Sequence, residues 1–132
     1  MSQENIEVIR SLYERWDRND LSVFVEVLRP DAEFVNPADA IDRGTRSGYG
    51  GFTKAWQAMN EAFGSTSHEV VELRRADPHV IASVIFKAEG TGSGAGVQQP
   101  EFHVWTFKDS KVSRFAWFRS NEAALEAAGL RA

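Results

Sequence analysis

The stretch Phe102-His103-Val104-Trp105-Thr106-Phe107, continued by Lys108-Asp109-Ser110-Lys111 and by Val112-Ser113-Arg114-Phe115-Ala116-Trp117-Phe118, decides the fold. Both arms are rich in β-branched and aromatic residues, and the polar Lys108-Asp109-Ser110 between them suits a tight reversal, so an antiparallel hairpin is predicted. Alternate side chains of a strand leave on opposite faces. His103, Trp105 and Phe107 therefore share a face, as do Phe115, Trp117 and Arg119, while Val104, Thr106, Ala116 and Phe118 take the other. A histidine and an arginine on otherwise aromatic rows single out a site, because a buried polar group needs a partner.

Upstream, Glu69 to Arg75 and Val80 to Glu89 have the same β-rich character, with Asp77-Pro78 and the glycine-rich Gly90 to Gly96 as connections. Val84, Phe86 and Ala88 form a further row of one parity. The N-terminal half has a different period. Ile6, Ile9, Leu12, Tyr13 and Trp16 recur at helical spacing, predicting an amphipathic helix over residues 3–18. Asn19 is placed to end it, Asp20 to cap a second helix bearing Leu21, Phe24, Val25 and Leu28, and Pro30 to stop that one. Ala32, Phe34 and Asn36 read as a brief strand before Pro37, and Asp39, Asp42 and Gly44 as a rim loop. A third helix carries Phe52, Ala55, Trp56, Met59 and Phe63 to a stop at Gly64. Ser120 opens a last short helix through Ala124 and Leu125, closed by Gly129. Helices first and a meander afterwards predict an α+β fold, with helices covering one face of a curled antiparallel sheet.

The chain has 132 residues, 42% of them hydrophobic and 26% charged, which suits a single domain over 1–132 and argues against disorder. Fifteen Lys and Arg against 19 Asp and Glu leave a formal charge of -4, so no basic surface for nucleic acid is expected. The absence of cysteine excludes disulfides and thiolate chemistry. His68, His79 and His103 lack ligand spacing, with His68 and His79 read as flanking a turn, so neither metal nor cofactor is predicted. The spacing of Gly90, Gly92, Gly94 and Gly96 matches no phosphate-binding pattern. Met1 to Arg18 holds no unbroken apolar run, and a cytoplasmic protein without membrane contact is expected.

Ile6 to Leu21 with its Asn19-Asp20-Leu21 turn, Pro30-Asp31-Ala32-Glu33-Phe34, the hairpin from His103 to Val112, and the tail Ala124 to Leu130 resemble the superfamily of nuclear transport factor 2, the steroid Δ-isomerases and the SnoaL-like polyketide cyclases. The SnoaL-like subgroup is the nearest match. The resemblance implies a cone-shaped sheet packed against three N-terminal helices and enclosing a pocket. The His103, Phe115 and Phe86 rows would face the ligand, and the Val104 and Phe118 face would be exposed and support a homodimer. It also implies where chemistry would sit. A steroid isomerase would carry an Asp base just before Pro37, a Tyr donor near position 12 and an acid at position 103; this chain has Asn36, Leu12 and His103. Epoxide hydrolases of this fold share the Asn but need an Asp-Arg-Asp network where Phe86, Ala88 and Trp117 stand. The late-strand acid of the cyclases aligns with Ser120, leaving only the histidine.

The candidate catalytic residues are therefore His103 as acid, base or hydrogen-bond donor, with Asn36 and Arg119 orienting the polar end of a ligand. Leu12, Trp16, Phe34, Trp56, Met59, Phe86, Trp105, Phe115 and Trp117 are expected to wall the pocket. Such a wall suits a small hydrophobic, cyclic or carbonyl-bearing molecule, and isomerase, cyclase or hydratase-type proton transfer. The alternative is a non-catalytic binding or dimeric interaction module on the same fold.

Overall fold

In the computed structural model, which describes residues 2–37, 44–63, 65–89 and 96–130, the apolar stripe Ile9, Leu12, Tyr13 and Trp16 is buried along one side of α1 (Ser2–Asp17). Asn19 ends the helix in the left-handed region at φ 63, a conformation asparagine tolerates better than most residues. Asp20 does not cap α2 (Ser22–Val27), whose N-cap is Leu21 without a side-chain bond. Its carboxylate is taken instead by Arg15, Nε to Oδ2 at 2.8 Å, and by the Ser22 hydroxyl. Arg15 also reaches Glu26 at 2.6 Å, tying the α1–α2 corner together.

The first strand, β1 (Leu28–Asn36), begins earlier than the alternation suggested. The helical run stops at Val27, short of the expected Pro30, and Leu28 and Pro30 both lie in the strand, Pro30 beside a register irregularity where a missing N–H is tolerated. β2 (Gly44–Ser47) pairs antiparallel with β1, although this segment reads as loop in the sequence. Asp39, Asp42, Gly64 and Gly90 to Gly94 lie outside the described residues.

Helix α3 (Gly48–Phe63) starts before the predicted Phe52 because two glycines permit a close approach. Gly48 has φ +74, and a Cβ on Gly51 would come within 3.0 Å of the Arg46 Cβ.

β3 (Ser65–Ala76), β4 (His79–Glu89), β5 (Gly96–Lys108) and β6 (Lys111–Phe118) form the expected antiparallel meander. The whole is a curled, unclosed six-stranded sheet in the order β2-β1-β6-β5-β4-β3. One pairing corrects the all-antiparallel expectation: β1 runs parallel to β6, Phe34 opposite Phe115. No hairpin joins these two strands, so their direction is not constrained by a turn.

The inner face meets α1, α2 and α3 in an aromatic core. Phe34 lies 5.1 Å from Phe52 and 4.9 Å from Phe115, ring to ring, and Phe115 lies 4.3 Å from Trp105. On the outer face, α4 (Asn121–Ala127) is capped by Ser120, whose hydroxyl accepts from the Ala123 N–H at 3.1 Å. It presses Ala124 onto Ile81 and Val104, with Phe102, Phe118, Leu125 and Leu130 around them. The face expected to be exposed for a dimer is thus partly occupied by this chain's own C-terminal helix. Val104 and Ala116 are buried, and Thr106 and Phe118 half-buried. Among the described residues no helix is long and apolar enough to cross a membrane.

Candidate functional site

β5 starts at Gly96 instead of Phe102 and runs through Pro100, which pairs with Ile85 and points outward. The inward row of this strand therefore extends beyond His103 to Glu101 and Gln99. Exposure along it rises from 0% at Trp105 through 1% at His103 to 8% at Glu101, and Gln99 is half-buried. From Trp105 the residues of this row become more exposed toward Gln99.

These side chains and one from α1 form a continuous hydrogen-bonded chain. Trp105 Nε1–H donates to the Tyr13 hydroxyl at 2.9 Å, Tyr13 bonds His103 Nδ1, His103 Nε2 meets Glu101 Oε1 at 2.9 Å, and Gln99 Nε2 donates to Glu101 Oε2 at 2.9 Å. The proton positions follow from chemistry. An indole nitrogen only donates and a carboxylate only accepts. With Tyr13 accepting from Trp105 and donating to Nδ1, His103 carries its hydrogen on Nε2 and gives it to Glu101. Burial lowers the His103 pKa from its ordinary 6.5, only partly opposed by Glu101, and holds the ring neutral. Burial by itself would raise the Glu101 carboxyl. The hydrogen bonds from His103 and Gln99 outweigh it and leave the group below its usual 4.5. Tyr13, desolvated, is raised well above 10.0 and stays a neutral phenol.

Beside this chain lies a second pair. Asp17, the last residue of α1, accepts from the His68 backbone N–H at 2.8 Å and from its Nδ1 at 2.9 Å. His68 lies within β3, well inside the strand and away from the turn it was read as flanking. Its ring sits 4.6 Å from Trp16, 5.4 Å from Tyr13, 5.7 Å from Phe86 and 5.8 Å from His103.

The other expected site residues are placed as follows. Leu12, Trp16, Phe34, Phe86, Trp105 and Phe115 are all buried at 5% or less, and all but Phe86 belong to the main apolar cluster. Trp56 and Trp117 pack against that cluster half-buried, and the Met59 side chain lies outside the described residues. Asn36 accepts from Trp117 Nε1 at 2.7 Å. Arg119 is exposed, with its guanidinium 5.0 Å above the Trp117 ring. Asn36, Trp117 and Arg119 thus form a second group, in which Trp117 stands directly opposite His103 in the β5–β6 pairing. Elsewhere, Arg46, Ser47, Gly50, Gly51 and Lys54 line a separate depression of about 340 Å³. Among the described residues no group of three or more His, Cys, Asp or Glu is arranged to hold a metal ion.

Sequence reasoning missed Tyr13, Asp17, His68 and Glu101. Tyr13, next to Leu12 on α1, places its hydroxyl against His103 Nδ1. A carboxylate also stands beside His103, at Glu101, two residues earlier on the same strand face. Carrying the parity of His103, Trp105 and Phe107 back one step, past Phe102, would have found it.

The lowered pKa values set an acid dependence. A histidine neutral in the fold and titrating at 6.5 when unfolded contributes stability that is complete above that pH and is lost as pH falls below it. His79, also lowered by burial, acts in the same direction, and Glu101 adds a further loss below 4.5. Melting temperature is expected to fall as pH is taken from 7.5 to 5.5, and His103→Gln, which keeps a donor and an acceptor without titrating, is expected to shallow the slope. An unchanged slope in that variant would show that His103 is not the controlling group.

A family model for the SnoaL-like domain matches residues 9–115. Among solved structures, TerC co-crystallised with polyporic acid is 21% identical over 95% of this chain and 98% of its own, with a TM-score of 0.78. A candidate SnoaL-like polyketide cyclase from Jannaschia sp. CCS1 is 17% identical over 96% and 92%, with a TM-score of 0.76. A protein of ketosteroid isomerase-like fold from Catenulispora acidiphila DSM 44928, in complex with trimethylamine, is 14% identical over 94% and 93%, with a TM-score of 0.74. These identities speak for the fold alone. No curated protein matches the chain.

Proposed function

Because the chain belongs to the SnoaL-like domain family, we propose that it takes a small hydrophobic molecule, cyclic or carbonyl-bearing, into the aromatic interior and moves a proton on it. His103 and Glu101 are the acid–base element, with Tyr13 behind them holding the tautomer. Asn36 and Arg119, beside Trp117, orient the ligand's polar end. The single observation that carries this reading is the hydrogen-bonded chain from Trp105 to Gln99, set in an aromatic floor and leading toward more accessible residues. A purely structural core has little use for so many buried polar groups, since apolar residues fill the same volume without a desolvation cost. Neighbours of the same fold that were crystallised with small molecules support the ligand class at its coarsest level.

A second reading, binding without turnover, is favoured by one fact: both ring nitrogens of His103 are engaged by protein partners. A thermal-shift screen of steroids, polyketide fragments and terpenoids addresses both. A ligand at 100 times its Kd is expected to stabilise the fold by about 2.7 kcal/mol. Turnover of a hit is expected to fall about 100-fold in His103→Gln while binding survives. Binding of hits with no turnover of any would establish the second reading, and a screen without hits would remove both.

A further inference from the structure

Resting on that reading of the interior, we propose that His68, held by Asp17, is a second acid–base group of the same site and its proton acceptor. Asp17 ends α1, where a carboxylate faces the negative end of the helix dipole and is disfavoured unless something engages it. Both of its oxygens are spent on His68, one on the backbone N–H and one on Nδ1. Since the carboxylate only accepts, the imidazole hydrogen is on Nδ1 and the lone pair on Nε2. Among the described residues nothing hydrogen-bonds that Nε2, although the side chain is only 3% exposed. An acceptor without a hydrogen-bond partner among the described residues, on a ring that meets Trp16, Tyr13, Phe86 and His103, is an arrangement that a ligand can complete.

His103 is the opposite case. Its Nδ1 accepts from Tyr13 and its Nε2–H is given to Glu101, so the two buried histidines, 5.8 Å apart ring to ring, are locked in opposite tautomers. Isomerase, cyclase and hydratase chemistry each take a proton at one atom and return one at another, which two such groups divide between them. His68 Nε2 takes a carbon- or oxygen-bound proton, the bonding pair stays on the substrate, and the imidazolium is balanced by Asp17. The titratable groups facing His68 are Asp17 and Tyr13 from α1 and His103 and Glu101 from β5, while β4 presents Phe86.

Asp17 is a positioning residue, and its amide variant separates a chemical role from a merely structural one. In Asp17→Asn the single oxygen must face the His68 backbone N–H, which cannot accept, so the NH2 faces Nδ1 and forces the hydrogen onto Nε2. The contact survives and the base is lost. Long-range proton–nitrogen spectra of the whole protein should show His68 as the Nδ1–H tautomer in wild type and the Nε2–H tautomer in Asp17→Asn. The probe for base function is 5-nitrobenzisoxazole: the base takes the C3 proton, the C–H pair becomes a third C–N bond, and the N–O bond breaks to release a coloured phenolate. His68→Gln is expected to lose about 100-fold in rate. Asp17→Asn should lose kcat with KM unchanged, and His79→Gln should match wild type.

An Nε2–H tautomer in wild type overturns the proposal, even if His68→Gln fails to fold. So does wild-type probe opening no faster than free imidazole, or undiminished opening in His68→Gln. Ligands found in the screen and turned over by His68→Gln would sink this assignment and leave the broader function standing. A working probe reaction in a protein that binds no screened compound would do the reverse.

Discussion

Trp105→Ala is expected to destabilise the fold by about 3–5 kcal/mol, the usual cost of emptying a buried tryptophan site. The residue is 0% exposed, and its indole meets Phe115 at 4.3 Å and Tyr13 edge-on at 5.7 Å, so neighbours close the void only by abandoning their own contacts. Against a typical total of about 5–15 kcal/mol, such a loss brings the protein near its limit. Urea unfolding reads it as a lower midpoint at an unchanged slope. Trp105→Phe, which keeps most of the volume and gives up the N–H to Tyr13, is expected to cost less. A loss below about 2 kcal/mol in the alanine variant would mean that the interior repacks, and that its ring-to-ring packing is not what holds the cone.

Tyr13→Phe is expected to cost roughly 2–6 kcal/mol with no change in ring volume, because one missing oxygen strands two buried groups at about 1–3 kcal/mol each. Trp105 Nε1–H loses its acceptor and His103 Nδ1 its donor. The two substitutions should not add. Once Tyr13 is phenylalanine the indole hydrogen has no partner to lose, so Trp105→Phe becomes cheaper in that background, and a double-mutant cycle should show coupling of about 0.5–3 kcal/mol. Additive behaviour would mean that the hydrogen-bonded chain is not an energetic unit.

The elements were legible in the chain for plain reasons. Helical spacing marked α1 and α3, alternation marked β4, β5 and β6, and Ser120 and Gly129 marked the bounds of the last helix. The errors fell where local chemistry misleads. Pro100 hid the start of β5 and with it Glu101; Pro30 hid the start of β1; Gly48 and Gly51 looked like loop but admit α3 to β2. His68 looked like a turn neighbour because nothing near it in sequence shows that its strand continues back to Ser65.

From the residues alone come the α+β class, the order of most elements and the parity that turns His103, Trp105 and Phe115 inward, since period and side-chain direction are local properties of the backbone. The partners of those side chains are not local. Tyr13 and His103 are 90 residues apart and Asp17 and His68 51 apart, and they meet because the sheet curls and α1 crosses its inner face at one height and rotation. The parallel pairing of β1 with β6 and the docking of α4 over Val104 have the same origin. Periodicity says which way a side chain points, but only packing decides what it reaches.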